Sequence, residues 1–178
     1  MTATLAPAQQ FTRERLMRLF CTAPNAFWRH DVDVSLSAAA GMARFAELAG
    51  VKATFYLWPR SPYYNLFSLD GHRTIDTILE HGHQLGTHVD YRTGNVRDTV
   101  QRDRDLLEAA YPDLFTDHVS FHMPPDRVLW ADYPGFDSAY GSKWEGRYLA
   151  DSRREFGPEK EALITDDHQV NLHPEHWL

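Results

Sequence analysis

The chain predicts an α/β fold whose sheet is mostly parallel and curls into a deformed or incomplete (β/α) barrel. Three observations carry this. Short β-branched or aromatic runs alternate with amphipathic stretches from Phe27 to Trp177, the pattern of strand–helix–strand units rather than of hairpins. Several runs end in acids or histidines followed by a break, at Asp31–Asp33, His88–Asp90, His122 and His173. In a parallel barrel such ends meet on one face. The length, 178 residues with 43% hydrophobic, suits one domain with an ordinary core. Residues 1–10 read as a flexible lead-in and 11–178 as a single domain.

In chain order, Phe11 to Phe20 has Phe11, Leu16, Leu19 and Phe20 at helical spacing. Thr22–Asn25 is a turn. Phe27–Asp33 is the first strand, and side-chain alternation turns Asp31 and Asp33 to one face and His30 and Val32 to the other. Ser35 or Ser37 can cap the next helix, rich in Ala, Leu and Met and closed by Gly50. Val51–Trp58 is the second strand, stopped by Pro59. The aromatic stretch 60–69 is either a cleft wall or a core lid. Thr74–Glu80 reads as a short helix and His83–Asp90 as the third strand, with His88, Gln84, Gly86 and Asp90 on one face. Arg97–Ala110 is a charged surface helix with Val100, Leu106 and Leu107 as its buried stripe. His118–Met123 is the fourth strand, ended by Pro124–Pro125. Beyond it, Phe136–Tyr140 and Tyr148–Ser152 read as short strands or turns, Glu159–Leu163 as a helical turn and His168–His173 as the last strand, stopped by Pro174.

Composition narrows the function classes. A formal net charge of -7 without a basic block argues against nucleic acid as a main partner. The lone Cys21 excludes a disulfide framework and a thiolate zinc site. No apolar run is long enough for a membrane span, and Met1–Gln10 lacks the basic-then-apolar pattern of a secretory signal, so the expected location is cytoplasmic.

Two carboxylates side by side in a packed protein are costly unless one is protonated or a cation lies between them. The bland reading of Asp31 and Asp33 is an N-cap beside an unrelated neighbour. Together with the histidines at the other strand ends, however, they make a ligand set suited to zinc or another divalent first-row ion. His72, His81 and His118 read as surface groups, and Trp130, Trp144 and Trp177 as packing groups.

Here the residues resemble a family. His30–Asp33 with its following helix, Gly50–Phe55 and Gly82–His88 look like the opening motifs of NodB-type polysaccharide deacetylases, carbohydrate esterase family 4. Ser120–Pro124 and Asn171–Pro174 look like the later motifs, nearer to a polysaccharide-deacetylase-like branch ending in His-Pro-x-x-Trp, here His173 to Trp177. The resemblance covers residues 27–177. It implies a deformed barrel and a divalent metal, with zinc expected. It also implies a de-N-acetylase acting on an amino sugar or sugar-containing small molecule. By resemblance Asp31 is the base, Asp33 and His88 bind the metal, and His173 is the general acid. The family's usual third ligand falls at Arg92, so His122 or Asp90 must replace it, His122 having the softer nitrogen. The family's third motif usually carries an Arg that orients the catalytic acid, and none stands in Phe121–Pro125. Trp58, Tyr91, Pro124 and Asp90 are the expected substrate contacts. The competing class is a non-catalytic NodB-like domain binding a carbohydrate or protein through Trp58, Tyr63, Tyr64 and Trp144.

Overall fold

The computed structural model describes residues 11–90, 92 and 94–178; the expectations for residues 1–10 and for Tyr91 lie outside the described residues. The strands are β1 (Phe27–Val32), β2 (Ala53–Leu57), β3 (Gln84–Val89), β4 (Phe115–Phe121), β5 (Asp137–Ser138), β6 (Tyr148–Ala150) and β7 (Gln169–Asn171). They form one sheet in the order β5-β4-β3-β2-β1-β7-β6, every neighbouring pair parallel. The helices are α1 (Arg13–Thr22), α2 (Leu36–Leu48), α3 (Leu69–Glu80), α4 (Val96–Ala110) and the one-turn α5 (Pro158–Glu161) and α6 (Pro174–Trp177).

The sheet curls into a half-barrel whose edge strands, β5 and β6, do not pair. Side chains bridge the gap instead. Arg29 Nη1 and Gln169 Nε2 both donate to the Ala139 carbonyl, at 3.1 and 2.7 Å, and the rings of Tyr140 and Tyr148 lie 5.5 Å apart.

Strand alternation divides the residues between two environments. Trp28, His30, Phe55, Leu57, Leu85, Val170 and Leu172 turn outward and are buried against the helix layer. His30 belongs there: its Nδ1–H donates to the Leu172 carbonyl at 2.9 Å, and burial lowers its pKa to about 4. His83 also faces outward, between the Ala43 carbonyl and the Ala53 amide. Arg29, Asp31, Tyr56, His88, Ser120 and Asn171 turn inward, so the inside of the half-barrel is polar.

Several boundaries differ from the sequence reading. The first helix begins at Arg13, capped by Thr12, and Phe11 packs edge-on against Trp177 at 5.0 Å. Helix α3 begins at Leu69 rather than Thr74, capped by Ser68. Its Gly71 looks like a helix breaker in sequence, but a Cβ there would stand 1.8 Å from the Leu66 carbonyl, so only glycine lets the preceding loop lie against the helix. In α4 the buried positions are Thr99, Val100, Asp103 and Leu107, whereas Leu106 is 41% exposed. The stripe is displaced because Asp103 turns inward to meet Arg60 at 2.6 and 3.2 Å. Among the described residues no helix is long and apolar enough to cross a membrane.

Candidate metal centre and acid–base groups

The C-terminal ends of β1, β3, β4 and β7 open into one cleft of about 550 Å³, lined by Asp31, Asp33, His88, His122, Asn171 and His173 among others. Asp33, one residue past β1, meets two histidines there. Its Oδ1 lies 2.9 Å from His88 Nε2 and 3.2 Å from His122 Nδ1, and those nitrogens are 3.4 Å apart. Bonds of about 2.0–2.1 Å to a tetrahedral zinc put neighbouring donors roughly 3.3 Å apart, so this trio has the size and the N, N, O chemistry of a half-open zinc site. The histidines hold Asp33 far below the ordinary carboxylate range despite its burial, so its oxygens stay available as ligands.

The tautomer of His88 follows from its neighbour. Ser120 Oγ lies 3.0 Å from Asp31 Oδ2, 2.6 Å from Arg29 Nη2 and 3.1 Å from His88 Nδ1. The carboxylate can only accept and the guanidinium can only donate, so the hydroxyl gives its proton to Asp31. It then accepts from Arg29 and from His88 Nδ1–H. That hydrogen bond fixes the ring and leaves Nε2 as the nitrogen facing Asp33 and His122, the outer support a metal-ligating imidazole needs. Trp58 packs the other side, stacked on His122 at 4.5 Å and edge-on to His88 at 5.8 Å.

Asp31 does not share the trio. Arg29 grips it from Nε to Oδ1 at 2.9 Å and from Nη2 to Oδ2 at 2.6 Å, while Ser120 and Asn171 Nδ2 also donate to Oδ2. Burial alone would raise its pKa, but Arg29, with His88 and His173 beyond it, outweighs this and the carboxyl is held below its usual value. Arg29 is itself fully buried, with Tyr140, Tyr56 and Tyr148 around its guanidinium at 4.3, 5.3 and 5.6 Å. No arginine stands in Phe121–Pro125; the one that holds Asp31 comes from β1 itself, two residues before it.

His173 stands at the end of β7, its Nε2 3.8 Å from Asp33 Oδ2. Its Nδ1–H donates to Asp151 Oδ1 at 2.5 Å, and its backbone amide donates to the same carboxylate. His176 Nδ1 and Trp177 Nε1 approach Asp151 Oδ2 at 3.1 and 2.8 Å. Pro174 starts the single turn that carries His176 and Trp177, with His173 as its N-cap. Burial pulls the His173 pKa down, but the hydrogen bond and charge of Asp151 outweigh it and raise the pKa to about 9. Burial pushes Asp151 up, and the two imidazoles bring it down to about 2. Asp151, His173 and His176 also lie close enough to ligate an ion. Here, however, N–H groups of His173 and Trp177 converge on the acid, which marks an orienting carboxylate for His173.

Other expected residues are placed differently. Asp90 pairs with Arg92 instead of the histidines. Trp58 is 3% exposed, so it is a wall behind the ligands rather than a free contact face. Pro124 lines the cleft. Trp144 packs on Phe27 at 5.1 Å, at the start of β1 and therefore at the opposite end of the half-barrel. Tyr64 is tied down, donating to the Val32 carbonyl and accepting from the Trp58 amide, both at 2.8 Å. The aromatic set Trp58, Tyr63, Tyr64 and Trp144 is thus not one surface. Of the histidines expected at the surface, His72 is exposed, while His81 is half-buried against Glu47 and His118 lies near Asp137. Trp177 is a packing group that also donates to Asp151. Sequence reasoning missed Arg29, Ser120 and Asp151. Arg29 had a signal, an Arg two positions before an Asp on a strand face; Asp151 had none, since its partners are over twenty residues away.

No family model matches the chain, and no curated protein matches it. Among solved structures, a peptidoglycan deacetylase of Bdellovibrio bacteriovorus is similar at 11% identity and a TM-score of 0.48. That alignment covers 97% of this chain and 50% of the other, so the chain spans half the length of that protein.

Proposed function

We propose that this chain is a metal-dependent amide hydrolase of the NodB polysaccharide-deacetylase type, removing an acyl group from an amino sugar or a related sugar-containing amide. One observation carries the reading: a single cleft holds a His-His-carboxylate trio, a carboxylate kept anionic and a histidine kept protonated. Asp33, His88 and His122 would hold the ion. A bound divalent ion, zinc fitting this donor set best, supplies Lewis-acid polarisation of a carbonyl and a water acidic enough to lose its proton near neutral pH.

The remaining work falls to the chain. Asp31 takes a proton at Oδ1, which has one donor, Arg29 Nε, among the described residues. Its four donors make it a weaker base than a free carboxylate. Its contribution belongs toward the lower end of the ~10²–10⁴-fold typical of general-base assistance. His173, anchored at Nδ1 by Asp151, delivers a proton from Nε2 to the departing amine. The base and acid are separated by environment, one set against Arg29 and the other against Asp151, the division of roles that paired titratable groups need.

The test has two measurements on untagged protein. Metal analysis should find about one zinc-type ion per chain; Asp33→Ala should lose it, and retention at full stoichiometry would refute the ligand assignment. Amine release should be detected from N-acetylated amino sugars. A metal-loaded, folded protein that releases amine from none of them removes the hydrolase reading.

A further inference from the structure

Neither the metal trio nor the acid–base pair uses Arg153. It lines the same cleft, with Ser152, Met123 and Pro124, and its side chain is exposed. Among the described residues its guanidinium has no hydrogen bond, ion pair or ring contact. The other ionisable groups facing the cleft have partners within the protein: Asp31 with Arg29, His173 and His176 with Asp151, and Asp33 with His88 and His122. A divalent ion on the trio would outweigh the single charge of Asp33. The loaded cleft then has an excess of positive charge, and Arg153 is its only unmatched side chain among the described residues.

The backbone sets this arginine in place. Arg153 and Arg154 both lie in the left-handed region, at φ 59° and 57°, where side-chain crowding disfavours L residues. The turn hangs from Asp151, whose carbonyl accepts from the Arg154 amide at 3.1 Å and whose carboxylate anchors His173, His176 and Trp177. The segment that orients the proposed acid therefore also presents the free guanidinium. Backbone strain held beside a cleft is the kind that surrounding structure must maintain.

We infer that Arg153 determines specificity in this cleft, and that the substrate is an N-acyl amino sugar bearing an acidic group, carboxylate or phosphate. The planar fork of arginine suits either oxyanion. The inference rests on the hydrolase reading for the bond that is cut, whereas recognition of the anion does not.

The experiment uses the full zinc-loaded chain and three sugars: N-acetylglucosamine, N-acetylmuramic acid and N-acetylglucosamine 6-phosphate. Calorimetric affinity and amine-release kinetics are measured for each. At least one acidic sugar should bind about 10–100-fold tighter than the neutral one, the scale of a hydrogen bond to a charged group. The margin should shrink as salt rises. Whether the carboxylate or the phosphate gives it identifies the acidic group. Arg153→Gln should bring the acidic-to-neutral ratio of Kd close to one, and Arg153→Lys should keep part of it. Arg153→Gly, which relieves the left-handed backbone, should lose the ratio while raising Tm, separating loss of the side chain from misfolding. Equal affinity for all three sugars, or an unchanged ratio in Arg153→Gln, overturns the inference. Binding is read without turnover, so failure to release amine counts against the hydrolase reading alone.

Discussion

The residue whose environment most constrains this site is Arg29. A fully buried cation is tolerable only because Asp31, Ser120 and the Ala139 carbonyl take its N–H groups and three tyrosine rings enclose its plane. Removing one partner leaves the other charge buried and unpaired. Arg29→Met should therefore cost about 3–5 kcal/mol of stability, visible as a lower denaturant midpoint at unchanged slope. Replacing both, Arg29→Met with Asp31→Leu, should recover much of that loss, because a buried pair exchanged for apolar groups is often close to neutral. The double variant should still be inactive if Asp31 is the base. Full activity in it would remove Asp31 from the mechanism.

At the scale of elements, the loop after β2 owes its position to helix α4. Asp103 of α4 is completely buried and meets Arg60 through both oxygens. That pair ties α4 to the segment carrying Trp58, which stacks on His122, and Tyr64, which spans Val32 and Trp58. Asp103→Ala would leave the Arg60 guanidinium, 35% exposed, without this partner. The expected loss is about 1–3 kcal/mol, since water can reach that guanidinium. Zinc affinity should fall too, because the wall behind His122 loosens. Unchanged thermal stability and unchanged zinc affinity together would show that the loop holds its place without the pair.

For the molecule as a whole, the Asp151–His173 pair shapes the dependence of stability on pH in the metal-free protein. The His173 pKa is raised from 6.5 to about 9. Its contribution is complete below the unfolded value and is lost as pH rises through the folded one. The Asp151 pKa is lowered from 3.8 to about 2, so its contribution is present above the unfolded value and is lost as pH falls through the folded one. The pair supports folding most fully between those limits, from roughly pH 4 to 6.5. Calorimetry in chelator from neutral to alkaline pH should show Tm falling by several degrees, on the order of 2 kcal/mol. Asp151→Asn should flatten this alkaline limb. An equally steep fall in that variant would place the sensitive group elsewhere. The acid limb should persist in part, because Asp33 is also held low by its histidines.

The strands, the helices and the inward turn of Asp31 and His88 were legible in the sequence because they depend on local rules: alternation, capping and the breaks at Pro and Gly. His122 near His88, and His173 on the same rim, were legible as strand ends once the sheet was taken as parallel. What only the tertiary structure decided depends on which strands become neighbours. The pairing of β4 with β3 sets His122 rather than Asp90 beside His88, while Asp90 is drawn off by Arg92. The pairing of β6 with β7 brings Asp151 under His173. The curl of the sheet closes Tyr140 and Tyr148 over Arg29, and it leaves Trp144 at the far end. Local sequence determines which face of a strand a side chain takes. A buried charge finds its partner across the sheet, and that distance in sequence carries no local signal.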